Sequence, residues 1–456
     1  MKMRQNPPVI RTAGNRMLRM AVIALLFVLG ACSGPESIRD LRILDQNPAA
    51  HLDPIDSDRP IMDAQSQMIA SKAFQDRLLA PWRRQAPEYS KSFPEQKLLE
   101  FGRNPGYGEN RRPHDVAWIR DIAQNADMDA YPNACFPAIT IRNTDIRALP
   151  THKPHFTSFQ SPGQGYPFDN LQESAMAANT PVFVSHVSRD GAWVLTESHY
   201  CLGWIPAADI ARADEAFMRS WQGEIYVCMV KDEIPIRDES GAFRFKAPLG
   251  SLFPLIAATD AGYKIRIAVP DENRRAVIRP ATVEASAACV QPMKMTAANV
   301  ARVAKELSGE PYGWGGILMN RDCSAMIRDL FAPFGVWLPR NSSEQAEQGR
   351  LVDLRNLPEA EKKTRILTDG VPFATLLWFR GHIMLYIGGF GNEPLVFHNA
   401  WGVSTKSLFG KSDRAVIGRA SVTTLAPGRE RRDFDRKKGT LLRRVERMIF
   451  LNGVRP

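Results

Sequence analysis

Three textures follow one another along the chain, and the middle one constrains the fold most. From Cys135 to about Val290 the apolar residues stop recurring every three or four positions. They fall instead into short alternating runs closed by turn residues. "ITIRNTDIRALPT" ends at a proline, the run from Thr180 to Ile210 turns at Asp190-Gly191, and Gly203 sits just before Trp204. A second set runs from Glu224 to Val290, with turns at Asp238-Glu-Ser-Gly and Thr259-Asp-Ala-Gly. Strands this short and this closely spaced predict two small barrels. The two sets share no fixed short period, which excludes a solenoid.

The flanking textures differ. Residues 61–133 carry helical spacing in "SFPEQKLLEFGRN" and "HDVAWIRDIAQNADMDAYPN". From Thr296 the pattern is mixed: a Thr-capped helix in "TAANVARVAKEL", a Gly-rich loop, a helix starting near Cys323, then strands in "FATLLWFR", "HIMLYIGGF", "PLVFHNAWG" and "RAVIGRASVTTL". The expected class is α+β. A chain of 456 residues exceeds one core, so roughly two to four domains are expected. A hydrophobic share of 44% with 24% charged residues excludes a disordered chain.

The start has a separate purpose. "MLRMAVIALLFVLGACSG" sets a basic flank before an apolar run from Met20 to Leu29. That run is shorter than the roughly twenty residues a bilayer span needs, and it fits the core of an export signal. Leu29-Gly30-Ala31-Cys32 resembles a bacterial lipobox, which implies lipidation of Cys32 and, without an Asp after it, outer-membrane sorting in a Gram-negative cell. The formal net charge is +10, and five of those charges lie before Cys32. The remainder is too mild to argue for nucleic acid. Residues 32–60 are polar and read as a tether. Residues 429–456, with "RERRDFDRKK", read as a solvated basic tail with anionic lipid or wall polymer as the alternative contact.

Export permits disulfides. Beyond Cys32 five cysteines remain, so at least one thiol stays free if the others pair. Cysteines and histidines are too scattered for a structural zinc site, and no cofactor is implied. Cys323 stands apart because it follows Asp322 at a predicted helix start, where backbone amides favour a thiolate and can receive an oxyanion. His382 begins a strand and supplies a candidate base. His398, at the end of "PLVFH", or Asn399 beside it, would hold the other imidazole nitrogen.

"DGAWVL" and "GWIPAADI" resemble bacterial SH3-like (SH3b) domains, and "GSLFPL" carries the same resemblance into the second barrel. Trp193 and Trp204 are expected in the barrel core, with ligand stacking as the alternative. "PYGWGG", "RDCSAM", "LPRNSSEQ", "GHIMLYIG" and "VFHNA" together resemble the NlpC/P60 family of cell-wall peptidases over roughly 295–425. The resemblance implies a papain-like domain that cuts γ-D-glutamyl-diamino acid bonds in peptidoglycan stem peptides. In it Cys323 is the nucleophile, His382 the base and His398 the orienting group. It further implies that Tyr312, Asp322, Ser324 and the position of Asn341 bind the substrate, with Tyr200 as the barrel's candidate contribution. Relatives that need a free L-Ala amine carry Asp where this chain has the neutral Asn341. Trp314, Gly315 and Gly316 would shape the loop and let backbone approach the substrate.

The expected organisation is a signal at 1–31, tether at 32–60, helical region at 61–133, barrels at 134–213 and 214–292, catalytic domain at 293–428 and tail at 429–456. The expected protein is a monomer anchored by lipid in the cell envelope, acting on muropeptides. The rivals are a wall-binding scaffold with an inactive domain, and a papain-like amidase or acyltransferase.

Overall fold

The computed structural model describes residues 37–407 and 410–451. The signal segment and Cys32 lie outside them. No helix among the described residues is long and apolar enough to cross a membrane.

Three helices open the fold: α1 (Ala64–Leu79), α2 (Ser92–Arg103) and α3 (Val116–Ala126). Asp63 and Asp115 cap α1 and α3 by accepting from the amides of Ser66 and Trp118. α2 and α3 bury Phe101, Ile119 and Ile122 against Leu149 and Leu171 of the first barrel. This region therefore packs on the barrel.

The first barrel holds β1 (Phe136–Thr140), β2 (Thr144–Arg147), β3 (Gln172–Met176), β4 (Pro181–Val187), β5 (Trp193–Glu197), β6 (Leu202–Pro206) and β7 (Ile210–Arg212). They form one antiparallel sheet in the order β3-β2-β6-β5-β4-β1-β7. Trp193 and Trp204 are both buried, as core residues rather than ligand platforms. A short helix, α4 (Glu215–Trp221), leads to the second barrel. There β8 (Tyr226–Met229), β11 (Leu252–Thr259), β12 (Gly262–Pro270), β13 (Ala276–Val283) and β14 (Ala288–Val290) form one sheet, and β9 (Ile234–Arg237) pairs with β10 (Phe243–Ala247). Cys228 and Cys289 stand opposite each other on β8 and β14 with free thiols.

The last domain sets α5 (Ala297–Glu306) and α6 (Cys323–Phe331) against a six-stranded antiparallel sheet. Its strands are β15 (Arg350–Asp353), β16 (Thr375–Phe379), β17 (His382–Phe390), β18 (Glu393–Lys406), β19 (Ser412–Thr424) and β20 (Arg447–Phe450), in the order β15-β20-β16-β17-β18-β19. Met326, Ile327 and Leu330 of α6 bury against Ile383, Leu385 and Phe397. This is the papain-like α+β arrangement, preceded by two SH3-like barrels and a helical region.

Two expectations need correction. The described part of the tether is docked: Ile38 is buried with Ala400, Val403 and Ile417, and Asp40 accepts from the amide and hydroxyl of Thr424 at 2.8 Å each. The basic tail is not a tail either. β20 lies between β15 and β16 with Met448, Ile449 and Phe450 buried. The apolar run after the charges drives it there, and Lys362 Nζ pins its approach by donating to the carbonyls of Arg443 and Val445.

A buried cation joins the last domain to the second barrel. Arg321, 3% exposed, bonds to Asp232 from that barrel and to Glu310 and Asp329 of its own domain at 2.7–2.9 Å. Burying a guanidinium is tolerable only with such full pairing.

Candidate active site

Asp322 sets the start of α6. Its Oδ1 accepts from the amide of Ala325 at 2.9 Å, so the helix begins with Cys323 in its first turn. The other strands of the cleft follow from one hairpin. Phe379 of β16 pairs with His382 of β17 across a two-residue turn, Arg380-Gly381, and Gly381 takes φ of 89° to close it. That fixes His382 at the strand end, lining the same cleft as Cys323.

His382 Nε2 lies 2.8 Å from His398 Nδ1, and His398 Nε2 lies 3.0 Å from Thr423 Oγ1. The Thr423 hydroxyl donates to the Thr424 carbonyl at 2.8 Å, so it must accept from His398 Nε2–H. His398 Nδ1 is then an acceptor, and the proton between the two rings sits on His382 Nε2. This network assigns His382 the tautomer with an unprotonated Nδ1. Asn399, the rival orienter, is elsewhere: its amide donates to the Arg321 carbonyl at 2.8 Å.

Cys323 is 8% exposed and buried at the helix start, with the backbone amides of Ile383 and Ser324 acting to lower its pKa. Burial outweighs them, and with the Asp322 charge pushes the thiol up to about 12. Burial, then the neighbouring His398 and Arg444, hold His382 well below its usual range. Burial likewise lowers His398, to about 4. Both shifts favour the uncharged forms, thiol and imidazole, against the thiolate that a helix start favours.

Asp322 is fully engaged. Arg340 donates to it from Nη2 at 2.6 Å and Nη1 at 3.1 Å, Ser324 Oγ donates at 3.1 Å, and the Gly315 amide donates at 3.2 Å. Arg340 also donates from Nε to Ser174 Oγ of β3 at 2.8 Å, which carries the network into the first barrel. Burial raises Asp322, but Arg340 together with the Ala325 amide and the Ser324 hydroxyl holds it below the usual carboxylate range. Asn341 is exposed at the cleft edge, and its amide donates to Glu344 at 3.4 Å.

A cleft of about 750 Å³ runs across Cys323, His382 and His398. Tyr312, Asp322, Ser324 and Asn341 line it, whereas Tyr200 does not. The Tyr200 hydroxyl donates to the Ala175 carbonyl at 2.9 Å, and the Arg328 guanidinium sits 4.3 Å over its ring. The loop between β5 and β6 folds onto β3, so Tyr200 fills the seam between barrel and helix. Gly315 and Gly316 serve the same seam. A Cβ on either would strike Gln172 or Ala175 of β3, so they admit the barrel's backbone rather than a substrate's.

Several cleft residues carried no sequence signal. Phe168 of the first barrel meets Trp314, Trp401 and Tyr312 with ring centroids 5.3, 5.9 and 6.3 Å apart, forming an aromatic wall. Trp314 is 39% exposed there. Phe168 sits in a loop between strands, and Trp401 follows the "VFHNA" motif without belonging to it. Thr423 lies 25 residues from His398, and only strand pairing brings them together. The segment after residue 426 adds Phe434, Lys438 and Arg444 to the cleft.

Comparisons with known proteins agree with this architecture. The sequence model of the NlpC/P60 family matches residues 309–415, and the model of its N-terminal stabilising domain matches 20–131. SH3 models of the SH3b1 and SH3b2 types match 154–206 and 214–260. A Bacillus subtilis protein named gamma-D-glutamyl-L-lysine dipeptidyl-peptidase is 26% identical over 140 residues, covering 30% of this chain and 43% of that one. A Corynebacterium glutamicum protein named "Probable endopeptidase" is 35% identical over 78 residues, 17% of this chain and 37% of that one. The chain thus spans less than half the length of the curated relatives it matches. The solved structure of an NlpC/P60 endopeptidase from Photobacterium damselae subsp. piscicida superposes with a TM-score of 0.81 at 25% identity, over 90% of this chain and 98% of that one.

Proposed function

This chain belongs to the NlpC/P60 family, and we propose that it is a cysteine peptidase hydrolysing γ-D-glutamyl-diamino acid bonds in peptidoglycan stem peptides. The observation that carries the reading is one cleft lined by Cys323 at a helix start, by His382, and by His398, with His382 bonded on to His398 and Thr423.

His382 Nδ1 takes the Sγ proton as sulfur attacks the γ-carbonyl carbon of D-glutamate. The oxyanion develops beside the first-turn amides of α6. The imidazolium, held by His398, returns its proton to the departing amine of the diamino acid and leaves a thioester. Water, deprotonated by the same imidazole, then releases the γ-carboxylate and the thiol. No step calls on a metal or cofactor.

The lipobox-like Leu29–Cys32 supports a lipid-anchored envelope location, checked by loss of lipid labelling in Cys32→Ala. Mass spectrometry of muropeptide digests, with and without attached sugar, tests the activity. The expected result is release of L-Ala-γ-D-Glu by the wild type and none by Cys323→Ala. Failure of the wild type on every stem peptide would contradict the reading.

A further inference from the structure

Six cations line the cleft: Lys97, Arg340, Arg380, Arg414, Lys438 and Arg444. They divide by position. On the first-barrel side Arg340 is paired with Asp322, and Lys97 with Glu173 at 2.8 Å. Glu173 and Asp322 are the two carboxylates of the lining. On the far side, beyond His382, Arg380, Arg414, Lys438 and Arg444 have no salt bridge among the described residues.

Two of these four are placed to act together. Arg444, supplied by the segment that leads into β20, stacks its guanidinium 4.0 Å over the Phe379 ring, whose centroid is 5.6 Å from that of His382. Arg414 of β19 donates to Ser404 Oγ across the β18–β19 pair. Burial lowers the pKa of Arg444 and the Arg414 charge adds to that lowering; at His382 burial and His398 come first, and Arg444 adds to them. Asp435 and Glu446 act on them without forming a salt bridge to either. Asp435, facing Arg414, accepts from the amides of Lys437 and Lys438 at 3.1 and 3.4 Å and lies 3.8 Å from Lys406. Glu446, near Arg444, makes no salt bridge to it.

Two guanidinium groups that line one cleft without a salt-bridged carboxylate leave their charge available to an anion, and a carboxylate is the planar partner that guanidinium forks fit. We propose that Arg414 and Arg444 form a carboxylate-binding subsite on the leaving-group side of Cys323. The assignment of the leaving side rests on the reading of the cleft as a γ-D-glutamyl-diamino acid hydrolase. The carboxylate has two chemical sources there: the side-chain carboxylate of a diaminopimelate-type residue, or the α-carboxylate of a peptide ending at the diamino acid. The subsite is built only when the chain after residue 426 folds back beside the catalytic sheet.

The experiment compares kcat/KM for L-Ala-γ-D-Glu peptides ending in lysine or diaminopimelate, each carboxylate free or amidated singly. Arg414→Gln/Arg444→Gln and Arg414→Lys/Arg444→Lys are measured beside the wild type. The wild type should lose at least about tenfold on amidation of the recognised carboxylate, as expected for charge-assisted hydrogen bonds. The Gln variant should bring that ratio close to one, and the Lys variant should fall between. Because each ratio is taken within one enzyme, it cancels any change at His382 or in folding. Loss on amidating the side-chain group identifies diaminopimelate as the source; loss on amidating the α-group identifies a peptide end. Equal rates on all substrates, or an undiminished ratio in the Gln variant, would overturn the subsite. If the wild type cleaves none of them, the proposed reaction fails, and the subsite is judged by calorimetry of Cys323→Ala with the same peptides. Carboxylate-dependent binding that the two Gln substitutions remove supports it, and its absence overturns it.

Discussion

The two ends of the cleft carry opposite electrostatic arrangements. Toward the first barrel every charge is spent within the protein: Asp322 on Arg340, Ser324 and the backbone amides of Gly315 and Ala325, and Glu173 on Lys97. Toward the chain's end, Arg414 and Arg444 face the cleft without a carboxylate. The first end is joined by three parts of the fold and serves to position the loop and helix; the second leaves its charge available to a ligand. A cleft lined by charge is therefore not uniformly a binding surface, and partners must be counted before a role is assigned.

The centre separating the two ends should give the largest effect. Cys323→Ala should lower turnover by at least about 10³-fold, measured on any cleaved stem peptide, while leaving both ends intact. Next, Asp322→Ala strands a buried guanidinium, so unfolding in denaturant should show a loss of about 3–5 kcal/mol. Arg444→Gln, at the unpaired end, should shift stability by no more than about 0.5 kcal/mol. Equal losses at both ends would erase the distinction.

His398→Ala should lower kcat by about 10²-fold, because the His382 tautomer is no longer enforced; recovery in His398→Asn would show that a polar acceptor at that place suffices. Smaller still is a shift in pH dependence. The active form requires neutral His382, whose pKa lies well below 6.5, so activity should persist into mild acid and fall only as pH drops through that lowered value. Arg444 contributes to the lowering. Arg444→Gln should therefore raise the His382 pKa and move the acid limb of kcat toward higher pH.

Much of the fold was legible because its signals are local. The change from helical to alternating spacing marks the barrels, the Thr296 cap opens α5, and "HIMLYIGGF" is β17 from end to end. Cys323, His382 and His398 were legible as a constellation, since a thiol at a helix start needs a base and the following strands offer two imidazoles. What was not legible depends on long-range pairing. Thr423, Phe168 and Trp401 reach the site through strand register and loop packing. Tyr200 was misplaced because the resemblance names a barrel contribution without fixing which residue supplies it, and the Tyr200 hydroxyl is already spent on Ala175. The segment after 429 was misread because its charges mask the apolar "MIF" of β20, Arg447–Phe450. Arg414 and Arg444 went unnoticed because an unpaired cation is defined by which acids it fails to meet in space.

The most direct test of the central claim, attack by Cys323 on the γ-glutamyl carbonyl, is hydrolysis of L-Ala-γ-D-Glu-diaminopimelate in ¹⁸O-water followed by fragmentation of the products. The account predicts L-Ala-γ-D-Glu carrying ¹⁸O in the γ-carboxylate of glutamate, together with free diaminopimelate, from the wild type and not from Cys323→Ala. Label in the alanine carboxylate, or the same product from the Cys323→Ala protein, would contradict it.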